Sequence, residues 1–292
     1  MLIDGKHIAK KVLDELKEEL LFLKEQHPAR HPPALAFILV GENPASLAYV
    51  KMKQKACHDL GIISHVHSLE QSISQKKLVE LIISCNRDPL IHGILVQQPL
   101  PAHIDEQAIL EAVDPFKDVD GFHPVNIGKL LLGFEDGFIS CTPLGVLTLL
   151  QHYHLPLDGK HVVIVGRSNI VGKPLASLLA QKKPFCNATV TLAHSHTKDL
   201  ASLTQKADVL IAAMGKPLFI KESMVKPGSV VIDVGINTIA CHGQRKIVGD
   251  VDFENVKKIA SYITPVPGGV GPMTIAMLMH NLCKSYKNHL LR

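Results

Sequence analysis

The sequence predicts an α/β protein of two domains, each built on a parallel sheet, with the second of Rossmann-like type. Three observations predict it. The chain has 292 residues, and at about 150 residues per domain that is room for two. Short unbroken apolar runs end at glycine, proline or turn residues, as strands covered on both faces do. Between these runs lie longer stretches with helical spacing, the alternation that gives βαβ units.

Taken in chain order, Leu35 to Val40 is an apolar strand that stops at Gly41. Pro44 to Leu60 reads as a helix, with Asn43 as its cap and Pro44 at the first helical position, where a missing N–H costs nothing. A strand near Ile63–Leu69, a helix from about Ser74 to Cys85 and an apolar strand at Ile91–Val96 follow. The stretch from Asp114 to Gly137, rich in Pro, Gly and Asp, reads as an interruption. After a helix at Pro143–His152, a second series places strands at His161–Val165, Thr189–Ala193, Val209–Ala213 and Val230–Val234, with helical patterns between the first three. A glycine-proline loop from Thr264 leads into a last helix, Pro272 to about Leu290, with Met277, Leu278, Asn281 and Leu282 along its register. The domain boundary falls near residue 140, and there is no internal repeat.

Composition narrows the function. Hydrophobic residues make up 46% and charged residues 20% of the chain, which suits a globular protein with a substantial core. With 31 Lys+Arg against 27 Asp+Glu the formal charge is +4, too small and too dispersed for a nucleic-acid binder. The longest apolar run, Ala34 to Val40, is seven residues, against the roughly 20 that a membrane helix needs. A charge at Asp4 and the lack of an apolar core near the start argue against a secretory signal. The six cysteines show no zinc-like spacing and the 17 histidines are scattered, so no metal site is expected. Reduced thiols in a cytoplasmic protein are the expectation.

The second domain carries a phosphate-binding pattern. The strand His161–Val165 runs into Gly166-Arg167-Ser168-Asn169-Ile170-Val171-Gly172-Lys173-Pro174, and an apolar helix follows. A strand, a glycine turn and a helix N-terminus put free backbone N–H groups where a pyrophosphate can sit. Five residues separate the two glycines, so the spacing is not that of the dinucleotide fingerprint, and a plain strand-to-helix turn is the alternative. NAD enzymes carry an acidic residue about 20 positions on, which takes the ribose 2′-hydroxyl. Here Thr189–Ala193 ends in His194-Ser195-His196-Thr197, with no carboxylate before Asp199. Arg167 and the Ser195 hydroxyl suit a 2′-phosphate instead, favouring NADP over NAD. Ser195 or Thr197 also suits the cap of a helix starting near Lys198.

The first domain offers a different set. Tyr49 and Lys53 are four apart on the proposed helix and share a face. The strand ending at Val96 opens into Gln97-Gln98-Pro99-Leu100-Pro101, and Lys117-Asp118-Val119-Asp120-Gly121 puts two carboxylates in a turn. Each has a plain explanation alone: a core tyrosine, a solvated lysine, a turn.

Together, in this order, these runs and Pro265-Val266-Pro267-Gly268-Gly269-Val270-Gly271-Pro272-Met273-Thr274 closely resemble the bifunctional methylenetetrahydrofolate dehydrogenase/methenyltetrahydrofolate cyclohydrolase family. The resemblance covers essentially the whole chain. It implies oxidation of 5,10-methylenetetrahydrofolate with NADP⁺, then hydrolysis of the 5,10-methenyl cation to 10-formyltetrahydrofolate. It implies a folate-binding catalytic domain at residues 1–139, completed by the C-terminal helix 272–292 packing back on it, and an NADP-binding domain at 140–271. By position, Tyr49 is the residue stacking beside the folate, Lys53 the catalytic lysine, Gln97 its hydrogen-bond partner and Asp120 the pterin anchor, with Pro272 and Thr274 also on the substrate. The cofactor contacts fall on Gly166, Arg167, Ser168 and Ser195, with Ile236 on the nicotinamide side. The family is typically a homodimer through its cofactor domains. Gln98 stands where members often carry an apolar residue, and its side chain is expected to point away from the folate.

The chemistry fits these residue types. Loss of hydride from the methylene carbon leaves a delocalised cation, so that step needs orientation more than a base. Hydrolysis needs a proton acceptor for the attacking water. A lysine, ordinarily near pKa about 10.4, serves only if burial or a neighbour lowers that value. A neutral Gln97 accepts the lysine N–H without holding it as ammonium, and Asp120 can take two N–H bonds from a 2-aminopterin edge. Two rivals remain at this point. A shikimate-type NADP dehydrogenase would place its Lys/Asp pair differently. A non-enzymatic dinucleotide sensor would not need Lys53, Gln97 and Asp120 together.

Overall fold

The computed structural model describes residues 1–241 and 244–291. The chain divides into two compact units. The first comprises Lys11–Lys129, Phe134–Ile139 and Ile275–Arg292; the second comprises Met1–Lys10, Leu130–Gly133 and Ser140–Thr274.

The elements up to residue 132 are α1 (Gly5–Gln26), β1 (Ala34–Val40), α2 (Pro44–Asp59), β2 (Ile63–Leu69), α3 (Gln75–Arg87), β3 (Gly93–Val96), α4 (Glu106–Ala112) and α5 (Pro124–Leu132). In the first unit the sheet order is β2-β1-β3, with both pairings parallel. Every residue of the central strand β1 is buried, which is why its sequence is an unbroken apolar run. Ala36, Ile38, Leu78, Ile82, Ile94 and Ile109 belong to the core that α3 and α4 close against the sheet.

Two parts of this unit depart from the sequence reading. No helix was expected before Leu35, yet α1 is 22 residues long. Val12, Leu16 and Leu20 recur at four-residue spacing and are all buried, an amphipathic stripe among lysines and glutamates. The stretch from Asp114 to Gly137 does not interrupt the fold. It contains α5, and its first part adds to the sheet: Ile94 N donates to Lys117 O at 2.8 Å, in a parallel bridge between Ile94 and Asp118. A side chain at Gly93 would strike Val119 and Leu282, so glycine lets this segment lie against β3.

The remaining elements are α6 (Cys141–His152), β4 (His161–Val165), α7 (Gly172–Leu179), β5 (Thr189–Ala193), α8 (Leu200–Thr204), β6 (Val209–Ala212), β7 (Val230–Asp233), β8 (Asn237–Cys241), β9 (Gln244–Val248), α9 (Phe253–Val256), β10 (Tyr262–Ile263) and α10 (Val270–Leu290). The second unit holds a five-stranded parallel sheet in the order β10-β7-β6-β4-β5. Strands β5 and β6 therefore flank β4 on opposite sides. That reversal opens a crevice outside the carboxyl ends of the strands, the place where doubly wound sheets bind ligands. The antiparallel hairpin β8–β9 was not foreseen. Among the described residues, no helix is long and apolar enough to cross a membrane.

Candidate active site

In the first unit, the carboxyl ends of β1 and β3 meet the start of α2. Asn43 caps α2 as expected, its side chain accepting from Ala45 N at 2.9 Å and Ser46 N at 3.3 Å. One and two turns further on stand Tyr49, half-buried, and Lys53, only 8% exposed. Lys53 Nζ donates to Gln97 Oε1 at 3.1 Å, and Gln97 Nε2 donates to the Gln98 carbonyl at 2.7 Å. These two bonds fix which way the Gln97 amide faces. Gln97 N donates to Ile38 O at 2.8 Å, so the ladder of the sheet sets the position of the residue that meets Lys53. Ser46 Oγ adds a bond to the same Gln98 carbonyl at 3.4 Å. The Gln98–Pro99 peptide is cis. The Gln98 amide itself is enclosed, and no protein group bonds to it.

The two carboxylates of Lys117-Asp118-Val119-Asp120 have separate duties. Lys117 Nζ donates to the carbonyls of Cys85, Asn86 and Asp88, closing the C-terminal end of α3. Asp118 is buried and accepts from Phe122 N, His123 N and Asn126 Nδ2. It is a folding residue, and it shapes the turn that presents the next carboxylate. Burial pushes the Asp120 carboxyl up to about 6; the positive charge of Lys53 opposes that rise and the charge of Asp118 adds to it. Lys53 thus has an acidic neighbour as well as the neutral Gln97 foreseen from the sequence. Burial also raises the Tyr49 phenol.

In the second unit, Gly166 follows β4 with φ +136°. A side chain there would run into the Ala213 carbonyl, and one at Gly172 into the Gly166 carbonyl. The Ser168 hydroxyl accepts from Val171 N at 3.1 Å and Gly172 N at 3.4 Å, holding the turn before α7. A cleft of about 290 Å³ lies at the carboxyl ends of β4, β5 and β6, lined by Gly166, Arg167, Ser168 and Ser195 among others. Asp199 does not line it. Asp199 takes the left-handed conformation, φ 48°, and caps α8 by accepting from Ser202 N. The capping alternative for Ser195 and Thr197 is thereby overturned: an αL aspartate two residues beyond Thr197 does that work. The Thr197 hydroxyl instead accepts from His194 N at 2.9 Å.

Residues 3–120 match the profile of the tetrahydrofolate dehydrogenase/cyclohydrolase catalytic domain, and residues 140–290 match that of the same family's NAD(P)-binding domain. The chain belongs to the tetrahydrofolate dehydrogenase/cyclohydrolase family. It is 52% identical over 289 residues to the bifunctional protein FolD of Chlamydia abortus, covering 98% of this chain and 99% of that one. The crystal structure of the bifunctional methylenetetrahydrofolate dehydrogenase/cyclohydrolase FolD from Campylobacter jejuni is 52% identical, with a TM-score of 0.93 and 99% of both chains covered. That of the Trypanosoma brucei dehydrogenase-cyclohydrolase, complexed with NADP cofactor and inhibitor, is 36% identical with a TM-score of 0.94, covering 100% of this chain and 99% of that one.

Within this member of the tetrahydrofolate dehydrogenase/cyclohydrolase family, the structure joins Lys53 to Gln97 directly and puts Asp120 within their electrostatic reach. Gly166, Arg167, Ser168 and Ser195 share one cleft. Ile236 does not line that cleft; half of it is exposed, and its tip lies beside Gly271. Pro272 and Thr274 begin α10, where the Thr274 hydroxyl meets that of Thr142 at 3.2 Å. Sequence reasoning did not single out Lys216, which lines the same cleft with its ammonium 5.3 Å from the Phe219 ring centre. Its place three residues after the apolar run Val209–Ala213 was the available signal.

Proposed function

We propose that this chain oxidises 5,10-methylenetetrahydrofolate with NADP⁺ to 5,10-methenyltetrahydrofolate and hydrolyses that cation to 10-formyltetrahydrofolate. The observation that carries the reading is the partly buried Lys53–Gln97 bond, made by a buried lysine, with a partly buried carboxylate, Asp120, in electrostatic contact. Neither a shikimate-type dehydrogenase nor a dinucleotide sensor calls for that trio.

The second unit suits a dinucleotide. Its two glycines leave a backbone cradle that any side chain would fill, and Arg167, Ser168, Ser195 and Lys216 would hold the phosphates. When bound, the dinucleotide supplies the hydride acceptor. NADP is the better fit than NAD, because Asp199 is spent on a helix cap and two cations line the cleft. In the first unit, Asp120 as carboxylate accepts the paired N–H groups of the pterin edge, and Tyr49 stacks beside the ring. Lys53 takes the proton of the water that attacks the methenyl carbon, and Gln97 holds its amine in place. Residues 1–139 with 272–292 are the catalytic domain in this reading, and 140–271 the NADP-binding domain, with Ile236 on the nicotinamide side and Pro272 and Thr274 toward substrate. A cytoplasmic homodimer is the accompanying reading, and sedimentation of the purified protein tests the assembly.

The deciding experiment is spectrophotometric. With methylenetetrahydrofolate and NADP⁺, methenyltetrahydrofolate should form and then decay. No NADP⁺-dependent formation would end the dehydrogenase reading, and formation without enzymatic decay would end the hydrolase reading.

A further inference from the structure

Two buried aspartates behind the dinucleotide cleft have no part in the reading above. Asp233, at the end of β7, and Asp250, just after β9, are 3% and 0% exposed. Their partners are backbone and amide N–H groups. Asp250 Oδ2 accepts from Met214 N at 2.7 Å and Gly215 N at 2.9 Å, in the loop after β6, and its Oδ1 accepts from Asn237 Nδ2 at 2.8 Å, after β7. Asp233 Oδ1 accepts from Gly235 N and Asp250 N, and its Oδ2 from Val251 N, each at 2.9 Å. The backbone is shaped for this arrangement. A side chain at Gly235 would strike the Asp250 carboxylate, and one at Gly249 the Asp233 carboxylate.

Burying two carboxylates without a cation is costly unless N–H donors repay it, and here they converge on two loops. One carries Met214 and Lys216, which line the dinucleotide cleft. The other carries Ile236, immediately before the bonded Asn237. A single enclosed carboxylate therefore spans both loops. Charge-assisted bonds of this kind are shorter and stiffer than neutral ones, so they fix the spacing between the loops better than packing of exposed side chains would.

We propose that Asp250 is a positioning residue of the dinucleotide site: it ties the loop after β6 to the loop after β7 and sets the gap that receives the nicotinamide end. This rests on the reading that the second unit binds NADP. Asp233 holds Asp250 in register through the backbone of Asp250 and Val251. Buried from solvent, Asp250 acts through the loops and not by touching the cofactor.

The test separates the two ends of the dinucleotide. Calorimetry on the full-length protein measures binding of NADP⁺ and of adenosine 2′,5′-bisphosphate, which carries only the adenine and 2′-phosphate end. In Asp250→Ala, NADP⁺ should bind about tenfold or more weakly, the scale for losing charge-assisted bonds in a buried site. The fragment should lose much less than NADP⁺, because Arg167 and Ser195 are untouched and only Lys216 rides on the released loop. Should Asp250→Ala fail to fold, Asn237→Ala cuts the same tie from a partly exposed side and should weaken NADP⁺ selectively, by a smaller factor. Equal weakening of NADP⁺ and fragment would reduce Asp250 to a general stabilising role and overturn the proposal. So would unchanged NADP⁺ binding in the folded variant. A parent protein that binds neither ligand would instead refute the dinucleotide reading, which distinguishes the two failures.

Discussion

Replacing Lys53 by Met keeps the length and apolar stem of a side chain that is only 8% exposed but deletes the amine. Gln97 Oε1 then loses the donor it holds at 3.1 Å, at a cost of about 1–3 kcal/mol for an enclosed acceptor, partly offset by burial of the thioether. Asp120 loses the positive charge that counteracts its desolvation, so its carboxyl moves further above about 6. The chemical steps should separate. Hydride loss leaves a stable delocalised cation and needs no base, whereas hydrolysis must move a proton from water. Cyclohydrolase activity should fall by about two to four decades, the usual worth of a general base, with dehydrogenase activity partly retained and methenyltetrahydrofolate accumulating. One cuvette monitored for NADPH and for methenyltetrahydrofolate reads both steps. The pH profile gives a second reading. Asp120 accepts pterin N–H groups only when ionised, so folate affinity holds above its pKa and is lost as pH falls through it; in Lys53→Met that loss should begin at a higher pH. A cyclohydrolase rate near that of the parent protein would refute the assignment of Lys53 as the base; the pH midpoint reports only whether Lys53 is charged beside Asp120.

Three further substitutions give clear expectations. Asp120→Asn should weaken folate binding by about ten- to a hundredfold, the worth of a charge-assisted bond, and abolish the affinity loss near pH 6 expected from its raised carboxyl; titration of folate binding against pH checks both. Arg167→Ala should weaken NADP⁺ while leaving NAD⁺ nearly unchanged, and equal losses in Michaelis constants would remove Arg167 from the 2′-phosphate. Gln98→Leu replaces an enclosed amide that has no protein partner and should stabilise the chain by roughly 1 kcal/mol or more. A thermal melt should show that as a rise of about 2–4 °C, and a lower melting temperature would mean that the amide is satisfied.

The strands were legible because burial on both faces leaves a one-letter signature: β1 and β6 are apolar without a break, as is β4 after His161. Helix α2 announced itself through Asn43 and Pro44, which act locally. Helix α1 was overlooked because its apolar stripe is thin among charges, although Val12, Leu16 and Leu20 kept perfect register. The strands of the hairpin β8–β9 are neither unbroken apolar runs nor alternating ones, and pairing is not a local property. At the site, spacing put Tyr49 and Lys53 on one face of α2, and the Lys53–Gln97 bond that the structure contains was implied by the family resemblance. The resemblance singled out Asp120 over Asp118, but the physical reason, the donors at Phe122, His123 and Asn126 that occupy Asp118, needs the fold. Sequence alone could not show that Asp250 reaches Met214, 36 positions away.

The first unit recruits the last stretch of the chain, Ile275–Arg292, into a body that otherwise ends at Ile139. That stretch supplies polar ties as well as apolar bulk. Asn281 Nδ2 donates to the carbonyls of Val119 and Ile139, the Ser285 hydroxyl to those of His92 and Phe116, and the Tyr286 hydroxyl to that of His31. During synthesis, the segments that carry Lys53, Gln97 and Asp120 leave the ribosome well before the helix that closes their core. Domains generally fold as units, N-terminal first, but here the early part must wait. The second unit can consolidate its parallel sheet once Thr264 is out, while β3 still lacks the Leu282 side chain that packs beside Gly93, and α2 the Met279 thioether that meets Cys57. A nascent chain stalled between those two points carries an unfinished catalytic half, the state in which a chaperone or a protease has its best opportunity.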